Sequence, residues 1–139
     1  MPAIVYYNLT YVEVFVFDKY LIAQVKKGAL LQPENNAQLK ELIEKHYSNK
    51  NFVYLSNRAF DYNVSPVTYI ETSKITNLLG MCIVTETVAG RRTANFESKF
   101  YSKDFLVVDN LPEAIDWAVE LVDQADQQYH IAGSNPIHI

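Results

Sequence analysis

The chain has 139 residues, of which 49% are apolar and 20% are charged, and its net charge at pH 7 is -4. This length fits one domain that is long enough to bury a hydrophobic core, and ten Tyr and seven Phe argue against an intrinsically disordered chain. The acidic balance argues against a nucleic-acid partner, because proteins that bind nucleic acids usually carry a basic patch.

Cysteine usage and the start of the chain indicate a compartment. Cys82 is the one cysteine of the sequence, which excludes an intramolecular disulfide and favours a reducing environment. The first residues lack the basic and apolar regions of a secretory signal peptide, and no apolar run approaches the ~18 residues of a membrane span. We therefore expect a cytoplasmic protein without integral membrane association.

The first predicted elements form a β-hairpin. Residues 11–17 are β-branched and aromatic, which predicts a strand, and residues 20–27 alternate as a second strand. Asp18 and Lys19 make the turn, and so short a connection makes the two strands antiparallel. Residues 1–9 are apolar and ambiguous, because they fit either an edge strand or a segment that lies across the sheet.

The middle of the chain alternates helix and strand. Residues 28–33 form a connector. Apolar side chains then recur at helical spacing over residues 39–47, which predicts a helix capped at its start by Asn35 or Asn36. The apolar run over residues 52–55 then predicts a buried strand that opens into a polar loop.

A second helix is predicted to begin at Ser65 and Pro66, because serine is a good N-cap and proline in the first turn costs no intrahelical hydrogen bond. We expect this helix to continue to residue 79, where Gly80 stops it. The apolar run over residues 81–85 predicts a strand that is covered on both faces.

The last third of the chain adds two helices and one strand. Residues 89–92 form a predicted loop and residues 105–108 a predicted strand. Asn110 and Glu113 match a capping box at the start of the last helix, and from about residue 128 we expect a flexible tail. The short helix between the loop and the strand presents four side chains to the core, namely Ala94, Phe96, Phe100 and Tyr101.

This order of elements predicts the fold class. After the hairpin, helices and strands alternate, which is typical of a largely parallel sheet with right-handed crossovers. We therefore predict a single α/β domain over residues 1–139. It has a mixed, mostly parallel sheet of four or five strands, an N-terminal antiparallel hairpin and about four helices.

Five segments carry a resemblance to a known family through their order and spacing. They read Val-Phe-Asp-Lys-Tyr-Leu-Ile-Ala-Gln-Val-Lys-Lys-Gly from residue 16, Val-Tyr-Leu-Ser-Asn-Arg from 53, Asp-Tyr-Asn-Val-Ser-Pro from 61, Phe-Glu-Ser-Lys-Phe from 96 and Leu-Pro-Glu-Ala-Ile-Asp-Trp from 111. With them the chain resembles the STAS/SEC14-like proteins, in the branch similar to anti-sigma-factor antagonists and their small, functionally uncharacterised bacterial members. The resemblance implies a STAS-like fold and a regulatory or binding role rather than catalysis.

Two branches of that family imply different functions. In anti-sigma-factor antagonists, a serine at the start of the helix after the central strand is phosphorylated and controls partner binding. Ser65 holds that place, within Val64-Ser65-Pro66 rather than an Asp-Ser-Ser-Gly-like turn, and its own sequence context favours an N-cap. The lipid-carrier branch holds an apolar ligand in a deep pocket, with extra helices that a chain of this length lacks.

Three arginines suggest an anion site. Arg58, Arg91 and Arg92 lie in predicted loops after successive strands, and guanidinium groups beside the start of a helix favour bound anions. The alternative is that these arginines pair with Asp61 or Glu86, or face solvent.

The polar loop over residues 56–65 is the predicted functional surface. Besides Arg58 and Ser65 it carries Asp61, Tyr62 and Asn63, a polar and aromatic set that suits recognition. The alternative is that Arg58 and Asp61 hold the loop together while Tyr62 packs over the core.

No catalytic or metal-binding constellation is evident. The three histidines are far apart in sequence, Cys82 has no base beside it, and four glycines form no phosphate-binding loop. We therefore predict a non-enzymatic regulatory or protein-interaction module without a metal or cofactor, with a protein partner and a possible homodimer through the hairpin edge.

The alternative function is a binder of a small anion or lipid-like ligand at the loops after the central strands. In it, an apolar tail enters between helix and sheet beside Tyr62 and Tyr69.

Overall fold

The computed structural model describes residues 4–28, 30–31, 36–59 and 63–134. Within these ranges the chain forms a six-stranded sheet, a separate two-stranded pairing and four α-helices. The strands are β1 Val5–Asn8, β2 Val12–Val16, β3 Tyr20–Val25, β4 Leu30–Leu31, β5 Phe52–Asn57, β6 Asn63–Val64, β7 Leu78–Val84 and β8 Asp104–Val108. The helices are α1 Ala37–Tyr47, α2 Pro66–Thr72, α3 Val88–Glu97 and α4 Leu111–Ser134, with a 3₁₀ turn at Ser98–Phe100.

The large sheet is mixed, as predicted. Its order is β1-β2-β3-β5-β7-β8. The β1–β2 and β2–β3 pairs are antiparallel, whereas β3–β5, β5–β7 and β7–β8 are parallel. The predicted hairpin is therefore confirmed. The sheet has six strands instead of four or five because β1 adds an edge strand, which was one of the two alternatives for the start of the chain.

Each face of the sheet carries its own core. On one face, α1, α2 and α3 pack against the strands through a cluster that includes Leu42, Tyr47, Tyr69 and Ala94. On the other face, α4 is the one described helix that packs on the sheet, and its Ala114, Ala118 and Val122 are fully buried. Because β5 and β7 are covered on both faces, they read as continuous apolar runs.

The second helix is shorter than predicted, because the last residues of the predicted helix form a strand of the sheet instead. α2 ends at Thr72, and Leu78 and Gly80 belong to β7. A Cβ atom at Gly80 would lie 2.9 Å from the carbonyl oxygen of Asp104 and 3.0 Å from the ring of Trp117. Gly80 therefore allows β8 and α4 to approach β7 closely and does not end a helix.

The predicted loop over residues 89–92 is wrong, because these residues form the first turns of α3. The Thr87 side chain caps this helix by accepting a hydrogen bond from the N–H of Gly90 at 2.9 Å, which is a standard N-cap interaction. A Cβ atom at residue 90 would collide with the Thr85 hydroxyl, so glycine is required here by a close approach.

The final helix follows its predicted start and continues beyond its predicted end. Asn110 Oδ1 accepts a hydrogen bond from the N–H of Glu113 at 2.9 Å, as the capping box requires. The helix continues to Ser134, beyond residue 128, where the sequence predicts a tail. Residues 135–139 lie outside the described ranges, and the flexibility of a tail stays a prediction.

Candidate functional site

Arg58 leaves the end of β5 and turns into the protein. Its backbone N–H binds the carbonyl oxygen of Val84, which fixes it beside β7. Its guanidinium group donates to Glu97 Oε1 at 2.5 Å and to the Tyr69 hydroxyl at 2.8 Å. The Tyr69 hydroxyl in turn donates to Glu97 Oε1 at 3.0 Å. We call these three residues the buried ion-pair network.

The network is well shielded from water. The side chains of Arg58 and Glu97 are 6% and 7% exposed, and Tyr69 is 3% exposed. A buried pair of opposite charges is retained only with good geometry and further hydrogen bonds, and the Tyr69 hydroxyl supplies these. The structure pairs Arg58 with Glu97. Asp61, the partner suggested by the sequence, lies outside the described residues, so its pairing with Arg58 stays a prediction.

Glu97 is the network member that the sequence analysis missed. The prediction placed Phe96 on the buried face of its helix, but Phe96 is 55% exposed and Glu97 is 5% exposed. Ala94, which is fully buried, lies three residues before Glu97 and so shares its face of the helix. The three-residue spacing from Ala94 could have indicated that Glu97 is buried. Following it would have meant placing a carboxylate, and not the phenyl ring of Phe96, on the buried face.

The two other arginines of the predicted site lie outside the buried ion-pair network. Arg91 pairs with Asp109 on the surface, and Arg92 is exposed on α3. Arg58 and Arg91 therefore have different anionic partners, and the Arg91 pair is a surface pair. Anion binding by these arginines stays a prediction.

The predicted recognition loop is described only in part. Asp61 and Tyr62 lie outside the described residues. The backbone of Asn63 belongs to β6, opposite Leu30. Ser65 takes the N-cap position of α2 with an extended backbone, yet its side chain makes no capping hydrogen bond within the described part of the chain.

A cavity lies between α1, α2 and the sheet, and we call it the α1–α2 cavity. Its volume is about 170 Å³. α1 contributes Leu39 and Ile43, the sheet contributes Tyr54 and Met81, and Ile75 follows α2. The cavity therefore has an apolar interior built from both helices and from two neighbouring parallel strands.

The polar groups of the cavity are mostly uncharged. Hydroxyl-bearing side chains line part of it, namely those of Tyr54, Ser56, Thr68, Tyr69 and Thr72. Lys40 of α1 and Glu71 of α2 also contribute to the lining, and Lys40 is exposed. Among the lining residues that the structure describes, these two carry the charges.

Tyr69 connects the cavity with the buried ion-pair network. Tyr69 lines the cavity, and its hydroxyl is bonded to both Arg58 and Glu97. Arg58, which belongs to the site predicted from the sequence, is bonded to this cavity residue, and its role in binding stays a prediction. The Tyr69 side chain of α2 thus contacts both Arg58, which follows β5, and Glu97, which ends α3.

The lone cysteine is remote from this chemistry. Cys82 is fully buried in the core on the α4 face. Burial raises the pKa of its thiol to about 12, and a thiol that stays protonated is a poor nucleophile. This buried position agrees with the predicted strand over residues 81–85, which was expected to be covered on both faces.

No described group of three or more His, Cys, Asp or Glu side chains is arranged to hold a metal ion. The helices within the described ranges include none that is both long and apolar enough to cross a lipid bilayer.

Comparison with known proteins identifies the fold. No protein-family model matches the chain, and no curated protein matches it. Among solved structures it is similar to an uncharacterized protein from the DUF3478 family, with a SpoIIAA-like fold, from Shewanella loihica PV-4. The TM-score is 0.52 at 16% sequence identity, and the match covers 84% of this chain and 92% of that one. The chain is a single α/β domain with a SpoIIAA-like, STAS-type fold.

Proposed function

We propose that this STAS-type domain is a non-enzymatic module that binds a small ligand in the α1–α2 cavity. The observation that carries the proposal is the cavity itself. Ligand sites are typically concave, mostly apolar and provided with a few polar groups, and the cavity combines apolar walls with hydroxyl groups. This develops the alternative in which an apolar group enters between helix and sheet beside Tyr69.

The cavity supports ligand binding better than the predicted anion site does. An anion at Arg58 competes with Glu97, which already holds the guanidinium group at 2.5 Å. An anion at Arg91 competes with Asp109. A ligand in the cavity needs no such displacement of an ion pair, because the lining residues that the structure describes are largely uncharged.

The lining residues support binding rather than catalysis. Nucleophilic catalysis needs a nucleophile within hydrogen-bond reach of a base. The cavity residues that the structure describes include no histidine and no cysteine, and their two charged groups are Lys40 and Glu71. We therefore propose a role in holding a ligand and presenting the bound state to other molecules.

The test is native mass spectrometry of gently purified protein, followed by thermal-shift assays with fatty acids, phosphates, nucleotides and small ring compounds. We expect a retained or stabilising ligand. Val67 lines the cavity and is 50% exposed, and Ile70 on the same helix is 46% exposed and is not a lining residue. Val67→Trp should therefore block binding, and Ile70→Trp should leave it unchanged. A clean apo mass with no thermal shift for any compound would refute the proposal.

Protein interaction is the second candidate function. It is favoured by apolar side chains that two helices turn to solvent: Ile70 on α2, and Val88 and Phe96 on α3, which are 74% and 55% exposed. Exposed apolar groups often mark interaction sites. Cross-linking in a native extract, compared between the natural chain and an Ile70→Glu variant, tests this role. Loss of a specific cross-linked product in the variant supports it, and an unchanged pattern argues against it.

A further inference from the structure

We propose that the ligand of the α1–α2 cavity is a compact, uncharged molecule with one aromatic ring and one hydrogen-bond donor, of the phenol type. This inference rests on the proposed function and specifies its ligand. Three properties of the cavity carry it: its volume, the position of its charges, and the chemistry of its walls.

The volume sets the size of the ligand. The cavity measures about 170 Å³, and an engineered apolar cavity of ~150 Å³ stays dry and binds benzene. A single six-membered ring with a small substituent matches this space. A long acyl chain exceeds this volume, so the inference separates this domain from a carrier that encloses an extended lipid.

The charges set the polarity of the ligand. Burying an ionised group without a partner is costly, and the charged lining groups are already directed elsewhere. Lys40 is exposed to solvent, and Glu71 is paired with Lys74 at 3.2 Å. A carboxylate or ammonium group deep in the cavity meets no compensating charge among the described residues, which favours a neutral ligand.

The walls favour an aromatic ring. Tyr54, Tyr69 and Met81 are among the residues that line the cavity. Aromatic pairs and sulfur–aromatic contacts both add stabilisation beyond the burial of apolar area. The Tyr69 ring is also held in place by the buried ion-pair network, so this wall is preorganised and binding spends little free energy on ordering it.

Thr72 supplies the polar contact. Thr72 lines the cavity and is 8% exposed. The Thr72 hydroxyl donates its hydrogen to the carbonyl oxygen of Thr68 at 2.7 Å. The hydroxyl oxygen can still accept a hydrogen bond. A hydroxyl oxygen carries two acceptor lone pairs, so a ligand O–H or N–H satisfies it. This contact distinguishes phenol from benzene.

The experiment compares four probes with the natural chain, by thermal shift and by titration of ¹⁵N-labelled protein in NMR. The probes are benzene, phenol, benzoate at pH 7 and palmitate. We expect benzene and phenol to bind saturably, with phenol roughly five- to tenfold tighter, and to shift amide signals of α1 and α2. Benzoate and palmitate should leave these signals unchanged.

Variants identify the contacts. Thr72→Val keeps the side-chain shape and removes the acceptor, so the advantage of phenol over benzene should fall to about onefold. Val67→Trp should abolish binding of both rings, and Ile70→Trp should preserve it. Should Val67→Trp fail to fold, the NMR map of the natural chain decides: shifts in α1 and α2 support the inference, and their absence overturns it.

The outcomes separate the inference from the proposed function. Palmitate or benzoate binding that responds to Val67→Trp, without binding of phenol, overturns the ring-type ligand and leaves the cavity as a ligand site. Equal affinity of phenol and benzene in the natural chain overturns the role of Thr72. If no compound in the broad thermal-shift panel binds, both the inference and the proposed function fail.

Discussion

Arg58 and Glu97 form an ion pair of 2.5 Å in which both side chains are less than one-tenth exposed. The pair joins the residue after β5 to the last residue of α3, 39 positions later. Because Tyr69 binds both partners, α2 is held at the same point. A residue first considered as part of a recognition loop thus connects three elements.

Replacing Arg58 by alanine should destabilise the protein strongly. The change leaves the Glu97 carboxylate buried without its cation, and breaking a buried pair from one side costs ~3–5 kcal/mol. The free energy of unfolding in urea measures the effect. Arg91→Ala is the matched control, because Arg91 is 41% exposed beside Asp109 and surface pairs contribute ~1 kcal/mol or less.

The double variant Arg58→Met, Glu97→Leu should recover most of this loss, since replacing a buried pair by apolar side chains is often neutral or stabilising. An Arg58→Ala variant that loses under ~1 kcal/mol while losing ligand or partner binding contradicts this reading. It would instead favour Arg58 as part of an exposed recognition surface.

Gly80→Ala should destabilise the junction of β7, β8 and α4 by ~1–3 kcal/mol, the usual cost of overpacking a core. The new methyl group meets the carbonyl oxygen of Asp104 at 2.9 Å and the Trp117 ring at 3.0 Å. Trp fluorescence should report the displacement of Trp117 together with a lower melting temperature. A stability equal to that of the natural chain would show that β8 moves away freely.

Removing the hydroxyl group should change the free energy of unfolding differently at two buried tyrosines. The Tyr101 hydroxyl is buried without a hydrogen-bond partner among the described residues, so Tyr101→Phe should be neutral or stabilising by up to ~1 kcal/mol. Tyr47 bonds the carbonyl oxygens of Phe17 and Tyr20 at 2.7 and 2.8 Å, so Tyr47→Phe should cost ~1–3 kcal/mol. Chemical denaturation of the pair decides, and a loss at Tyr101 as large as at Tyr47 would reveal a partner for its hydroxyl.

Cys82 should resist thiol reagents in the folded state. The thiolate is the reactive form, and burial raises the pKa of Cys82 to about 12. Disulfide-exchange labelling at pH 8 should be negligible for the native protein and complete after unfolding in urea. Rapid labelling without denaturant would mean that the α4 face of the sheet opens readily.

The sequence predicts those elements whose signals are local. The hairpin follows from β-branched residues around the Asp18-Lys19 turn, and α1 follows from helical spacing that buries Leu39, Leu42, Ile43 and Tyr47. The start of α2 at Ser65 and Pro66 is also local, because it depends on capping chemistry.

The remaining features depend on contacts between distant residues. Phe96 is exposed, which the apolar pattern alone does not exclude, since many apolar side chains lie on protein surfaces. Glu97 is buried, and Arg58 compensates its charge. The predicted last residues of α2 belong instead to β7, because they pair with β5 and β8. The α1–α2 cavity depends on the separation of two helices, which no spacing of apolar residues specifies.

The hydrogen bonds of the Tyr47 hydroxyl should determine which end of the domain unfolds locally. It bonds both sides of the turn between β2 and β3, while Asn77 binds the carbonyl oxygens of Tyr47 and Lys50. These bonds tie the amino ends of β3, β5 and β7 to the end of α1. Asn36 and Ser56 line the cavity near the opposite end of the sheet. Amide hydrogen exchange should therefore be slowest at the tied end, with local opening concentrated around the cavity, so that a ligand can enter while the rest of the domain stays folded.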